Sequence, residues 1–139
     1  MRITDAILSL LMAFLHDEGE LLVLDNAFNG RDVEVGLFDD TVDAIAEGDS
    51  YAAISTEPDG ADYAVQSVTG PTVTQDAGTT SVEMGALSYN VSDATTSVNY
   101  VYVRDATSGD LIFTNALDQS YDLGSIDTLD LSNVGMELD

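Results

Sequence analysis

At 139 residues the chain is long enough for one domain with a real core, and 45 % apolar residues argue against global disorder. It carries 26 acidic residues against three arginines and no lysine, a formal net charge of -23. That balance excludes phosphate-dominated nucleic-acid binding and attachment to anionic membrane surfaces, and the absence of cysteine excludes disulfide and thiolate chemistry. The aspartates are spread along the chain rather than gathered in a tail, which points to adaptation to solvent. At ~1 M salt the Debye length is about 3 Å, and exposed carboxylates hardly repel one another. In dilute buffer the same charge pushes the folded chain apart. The expected setting is therefore a high-salt one.

In chain order, residues 3–16 are the one strongly helical stretch. Thr4 serves as N-cap, Ile3 and Leu8 take the staple positions, and Gly19 ends the helix. Between Ala6 and Leu15 only Ser9 is polar, so this helix is apolar nearly all round. Its apolar run is about ten residues, against the about 20 that a membrane span needs. A single basic residue, Arg2, and no small-residue cleavage site argue against a signal peptide. Residues 1–20 are thus read as an N-terminal helix, part of the same domain or an assembly interface, and residues 21–139 as a β-sandwich domain.

Leu21 to Leu24 continue the helix or form a strand, and Asn26 to Gly30 are turn-like. Asp32 to Phe38 alternates Val33, Val35 and Leu37 with Asp32, Glu34 and Gly36, the pattern of a half-buried strand. Residues 39–50 read as an acidic loop with one helical turn, and Glu57-Pro58-Asp59-Gly60 as a turn. Tyr63 to Val68 and Thr72 to Gln75 are short strands separated by Gly70-Pro71. Ser81 to Val91 is a strand with a bulge near Gly85. Val98 to Arg104, apolar on both parities, predicts a central strand in a hairpin with Leu111 to Thr114. Residues 115–121 read as a connection. Residues 126–138 form a last strand interrupted at Ser132-Asn133. Seven to nine short strands predict a mainly β protein, a single antiparallel β-sandwich or jelly-roll-like domain with the short apolar N-terminal helix.

Few constellations carry chemistry. His16 is the only imidazole, and its place at a helix C-terminus suits a cation at the helix dipole better than a catalytic triad. With 26 carboxylates, any acid pair loses diagnostic value for glycoside hydrolysis. Asp25 to Asp32 lacks the alternate-residue ligand spacing of an EF-hand loop. Asp39, Asp40 and Asp43, and separately Asp59 and Asp62, are candidate oxygen ligands for Ca2+, Mg2+ or monovalent cations, with no other cofactor expected. Zinc lacks its His and Cys clusters. Ile7, Leu8, Leu10, Leu11, Phe14 and Leu15, together with Tyr100 and Tyr102 on one face of the central strand, are the candidate subunit interface.

Five stretches carry a resemblance. Val35 to Asp40 is similar to an aLft/ynd strand-to-loop signature, and Asp62 to Gln66 to a GYaRQ strand. The aromatic strand Val98 to Val103 follows. Ser108 to Phe113 is similar to sG.Llw, and Ile126 to Leu131 to GDtL.v. In these stretches the chain resembles small virion structural proteins of tailed phages and haloarchaeal tailed viruses. It departs from them at Val65, where Arg is usual, and at Ile126, where Gly is usual. The resemblance implies a β-sandwich with no catalytic residue, on the capsid exterior as a turret or decoration subunit, or in the tail or baseplate. Partners expected with that role are other virion proteins such as the major capsid protein, and the host cell surface; the N-terminal helix, apolar over more of its circumference than one sheet face can hide, predicts a homo-oligomer of three or five subunits. A carbohydrate-binding β-sandwich module is the reading from another class.

The charge generates the first prediction. Lowering salt from molar to ~0.1 M, where the Debye length reaches about 10 Å, is expected to collapse the circular dichroism signal and lower the melting point. An unchanged spectrum and melting point would refute it.

Overall fold

The computed structural model describes residues 14–138. It is mainly β, with every strand pair antiparallel. Helix α1 (Asp17–Phe28) precedes strand β1 (Asp32–Phe38), and a one-turn helix α2 (Asp40–Asp43) and a 3-10 turn (Tyr51–Ala53) lie in the long connection that follows. Then come β2 (Gln66–Thr69), β3 (Thr72–Asp76), β4 (Thr79–Glu83), β5 (Leu87–Asn90), β6 (Ser97–Asp105), β7 (Leu111–Asp122), β8 (Thr128–Leu131) and β9 (Gly135–Leu138). One sheet has the order β2-β1-β6-β7, a second β3-β4-β9, and β5 pairs with β8.

The N-terminus corrects the sequence reading. Most of the helix expected over residues 3–16 lies outside the described residues. Phe14 to His16 are not helical, and the helix begins at Asp17. The reason is local: Asp17, Glu18 and Glu20 put carboxylates in the first turn, where the helix dipole favours them. His16 therefore stands at a helix N-terminus, not a C-terminus, and its side chain makes no capping bond. Gly19 is inside the helix, under the Leu15 side chain, rather than ending it. A boundary between residues 20 and 21 would cut α1, whose Leu24 and Phe28 belong to the core and whose inner face packs on β3 and β4.

The central strand is where the sequence put it. β6 pairs with β1 on one side and β7 on the other. Its ladder with β7 is interrupted between Val98 and Tyr100, where four residues of β7, Leu117 to Ser120, stand against Asn99 alone, and parity changes there. Val98, Val101 and Val103 therefore all reach the same core. Residues 115–121 are not a connection: β7 runs on to Asp122 as the sheet's edge, where Asn115, Gln119 and Ser120 stay in water. The hairpin from β3 to β4 closes through Ala77 and Gly78, both at positive φ, as a two-residue turn requires.

Residues 79–91 and 127–138 form one interrupted ribbon. Thr80 pairs with Leu138 and Glu83 with Gly135; beyond the break Leu87 pairs with Leu131 and Asn90 with Thr128. Both strands lose three residues at the same level, 84–86 and 132–134, so the register is kept. The Met84 amide still donates to the Val134 carbonyl at 2.8 Å. The bulge expected near Gly85 is thus a break in both strands. It divides the ribbon between the sheet of β3 and the separate β5–β8 pair.

The second face of β1 is more buried than alternation predicts. Gly36 and Phe38 are enclosed as fully as Val33, Val35 and Leu37. Tyr102 of β6 crosses Gly36 so closely that a Cβ there would lie 2.3 Å from the tyrosine ring. Gly36→Ala should therefore force the ring or strand aside, costing about 1–3 kcal/mol and lowering Tm by roughly 5–15 °C. Gly48→Ala, with open space around the site, should leave Tm unchanged. Thermal melts in molar salt compare the two.

Candidate functional site

Residues 39–65 join β1 to β2 without a strand of their own, so their backbone groups need partners from elsewhere. Carboxylates supply many of them. Asp43 accepts from Ser55 N (3.1 Å) and Oγ (2.7 Å) and from Thr56 N (3.2 Å) and Oγ1 (2.6 Å). Asp59 takes the same pattern from another hydroxyl pair: Thr95 N (2.7 Å) and Oγ1 (2.6 Å), Thr96 N (3.1 Å) and Oγ1 (3.2 Å). Asp93 accepts from the amides of Ala61 and Asp62, and Gly60 lies so close that a Cβ would meet the Asp93 carboxylate at 2.4 Å.

These bonds decide where the candidate cation ligands stand. Asp39 caps α2 by accepting from Thr41 N at 2.9 Å. Asp40 accepts from Ile45 N at 2.8 Å, and Asp62 from Ser92 Oγ at 3.0 Å. Asp39, Asp40 and Asp43 are near in sequence but are turned to different donors, as are Asp59 and Asp62. Among the described residues no group of three or more His, Cys, Asp or Glu side chains converges on one point. The sequence spacing gave proximity; the donors of residues 41–56 and 92–96 give each carboxylate another task.

The tyrosines are divided between two layers. Tyr89 lies in the main core, stacks on Tyr63 with centroids 6.0 Å apart, and donates to the Val35 carbonyl at 2.9 Å. On the opposite face of the β1–β6 pair, Phe38, Tyr100, Tyr102 and Tyr51 pack as tilted ring pairs. Tyr102 and Tyr51 both donate to the Glu57 carboxylate, and the Arg104 guanidinium sits 4.1 Å over Tyr51 while pairing with Glu34. Burial and then the bond to Glu57 push the Tyr102 hydroxyl well above the usual tyrosine range. Tyr102 is fully buried in its own chain, which removes it from the expected subunit interface; Tyr100 is half-buried. The loop of residues 39–65, not a neighbour, covers this aromatic face.

Two other surfaces are open. Phe14 is 91 % exposed and Leu22 62 %, with Leu15, Leu21 and Val23 also exposed on or before α1. Between the edges of β7 and β9 runs a groove of about 580 Å³ lined by Ser81, Glu83, Phe113, Asn115, Asn133 and Met136, among others. It is bridged where the Asn115 amide donates to the Gly135 carbonyl at 3.2 Å. Ile7, Leu8, Leu10 and Leu11 lie outside the described residues. The exposure of Leu21 to Val23 was not legible in the sequence because Leu21 to Leu24 fit a strand as well as a helix. Comparison with family models, with curated proteins and with solved structures finds no match for the chain.

Acid should release the carboxylate clamps. Hydrogen bonds from Thr95 and Thr96 hold Asp59 down to about 2, and bonds from Ser108, the Arg31 guanidinium and Thr107 hold Asp105 down to about 2. Against burial, which raises it, bonds from Thr56 and Ser55 lower Asp43 as well. All three are depressed from the ordinary 3.8, so the folded state binds fewer protons than the unfolded one. Their stabilisation is full above about pH 4–5 and lost as the pH falls toward 2. In molar salt, where relief of carboxylate repulsion is screened, Tm is expected to drop over that window. Asp59→Asn should lower Tm at pH 7 and weaken the pH dependence; a Tm flat from pH 5 to 2 would refute the clamp.

Proposed function

We propose that this protein is a non-enzymatic structural subunit of the particle of a halophilic tailed virus, on the capsid exterior as a turret or decoration subunit. The observation that carries the reading is where the five resembling stretches fall. Val35 to Asp40 ends β1, Asp62 to Gln66 enters β2, Val98 to Val103 is the body of β6, and Ser108 to Phe113 turns into β7. Three of the five therefore include strand residues of one sheet, β2-β1-β6-β7, a fourth is loop up to its last residue, Gln66, which opens β2, and the fifth ends on β8. A likeness confined to loops would have no such common frame.

The fold in this reading is a β-sandwich. Its support is that Val33, Val35, Val101 and Val103 of the four-stranded sheet share one core with Val82, Leu87, Tyr89 and Leu129 of the ribbon. The surface fits a high-salt particle. Both arginines among the described residues are engaged within the chain, Arg31 with Asp105 and Arg104 with Glu34, and most of the other described acids are exposed. The reading includes self-assembly into a ring of three or five subunits, with residues 5–16 near the axis, and docking on the major capsid protein. Contact with the host surface belongs to it as well.

A second reading has one observation in its favour. The groove between β7 and β9 places the Asn115 and Asn133 amides beside Phe113, a combination suited to a neutral polyhydroxyl ligand such as a glycan.

Mass spectrometry of separated heads and tails from haloarchaeal virus particles that contain the protein tests the assignment. Recovery with tail-free heads is expected. Recovery with detached tails would replace the capsid position by a tail or baseplate one. A protein found only in the soluble fraction, binding glycans as an isolated domain, would overturn the virion reading.

A further inference from the structure

Asn90 stands apart from the other asparagines of the chain. Val91 and Ser92 follow it, so residues 90–92 read Asn-X-Ser with X other than proline, the acceptor motif for N-linked sugar. Asn26, Asn29, Asn99, Asn115 and Asn133 have no Ser or Thr two residues on.

A three-residue match alone is weak, and the fold adds what the chemistry needs. Val91 is fully buried, while Asn90 and Ser92 on either side of it are exposed. Both reactive side chains of the motif therefore face water together. Asn90 ends β5, and the chain turns at once, the Ala94 amide donating to the Val91 carbonyl at 3.0 Å. Inside this turn the Asn90 side-chain oxygen accepts from the Ser92 amide at 3.1 Å, an Asx turn. That bond engages the oxygen and leaves the nitrogen, which makes no hydrogen bond among the described residues. The matching nitrogens of Asn99 and Asn115 are taken, by Thr41 Oγ1 at 3.0 Å and by the Gly135 carbonyl at 3.2 Å.

The surroundings leave room for a bulky substituent. Burial alternates along β5, with Leu87 and Tyr89 inward and Ser88 and Asn90 outward. Asn90 pairs with Thr128 and Ser88 with Asp130, so the outward face of the β5–β8 pair is a short polar row in water. A hydrophilic group attached there displaces no packed side chain.

We propose that Asn90 is a covalent glycosylation site whose co-substrate is an activated sugar phosphate. In the step, the Asn90 side-chain nitrogen attacks the anomeric carbon of a glycosyl phosphate. A C–N bond forms, and the bond from that carbon to the phosphate oxygen breaks. The phosphate leaves with the electron pair, and the amide gives one proton to a base of the transferase. Nothing is oxidised or reduced. The Ser92 hydroxyl completes the motif that the transferase reads. In the folded chain it donates to Asp62 at 3.0 Å. Ser92 and Asp62 are both exposed, so a transferase replaces that bond at little cost.

The proposal does not rest on the viral reading. It gives the acidic surface a second means of holding water, since an uncharged glycan adds hydration without adding to a net charge of -23.

The test compares protein isolated from its natural source with the same chain made in a bacterial host that lacks N-glycosylation. Intact mass and mapping of the peptide containing residues 90–92 are the readouts. The native protein is expected to be heavier by one glycan, carried on Asn90. Expressed in the natural source, Asn90→Gln and Ser92→Ala should each lose the added mass. Ser92→Thr, which keeps the hydroxyl, should retain it. The size of the glycan separates the two sources of donor. A lipid-linked phosphate delivers a preassembled oligosaccharide, and a nucleotide-linked phosphate delivers a single sugar. If Asn90→Gln does not fold, the wild-type peptide map decides alone. An unmodified Asn90 peptide throughout the native protein would overturn the proposal, and so would added mass that survives in Asn90→Gln. Neither result depends on whether the chain sits in a virus particle.

Discussion

The fold depends on carboxylates acting as hydrogen-bond acceptors for backbone that has no strand to pair with. An amide in a strandless connection must find a partner or face water, and a buried one left without a partner costs ~1–3 kcal/mol. In residues 39–65 the partners come from aspartate. Asp43 closes residues 55–56 onto α2, Asp59 ties the connection to residues 95–96, and Asp93 returns the link to residues 61–62. The result is a loop held flat over the outer face of β1 and β6. Because it is held there, Glu57 can meet Tyr102 and Tyr51, and Tyr102 on the second face of the central strand is fully buried.

The same arrangement gives the acidic composition two separate roles. Part of the charge is exposed and tolerable only where salt screens it. Another part is structural: the clamping aspartates are favoured in their ionised form by the donors around them, and their work does not require salt. Asp105 shows how far this goes. It accepts from the amides of Thr107 and Ser108 to shape the β6–β7 turn, and it pairs with Arg31, whose guanidinium also caps the end of α1 through the Ala27 carbonyl. One carboxylate thus joins a turn, a helix end and a cation. With so few cations in the chain, such acceptor roles are the main way its acids can be used inside the fold.

Packing and charge also divide the molecule into distinct surfaces. The aromatic face is covered by the chain's own loop, the β7–β9 groove is polar and open, and on α1 Leu22 and Val23 stand exposed among the acids Glu18 and Asp25. Tyr102 and Leu22 exchange the places that composition suggests for them. The tyrosine on the central strand is an internal residue whose hydroxyl is satisfied by Glu57. The leucine in an ambiguous four-residue run is a surface residue.

The sequence by itself determined the elements whose signal is local. The strand at Asp32 to Phe38, the β-rich run from Val98 to Arg104, and the break at Gly70-Pro71 all name their structure through side-chain period or backbone freedom, and each stands in the fold where it was read, although the second face of Asp32 to Phe38 is more buried than its alternation says. The paired breaks at 84–86 and 132–134 were each visible as an irregularity, but not as the same irregularity. Their alignment is a fact about register between segments nearly fifty residues apart. The start of α1 was not legible because the polar run from His16 to Glu20 reads as the end of a helix, whereas its carboxylates form the first turn of one. Only tertiary structure decided the fate of the aspartates. A carboxylate's role depends on which donors reach it, and those of Asp59 come from residues 36 and 37 positions away. Spacing along a chain records which ligands are near one another in sequence; folding decides whether they share a cation or each hold a different stretch of backbone.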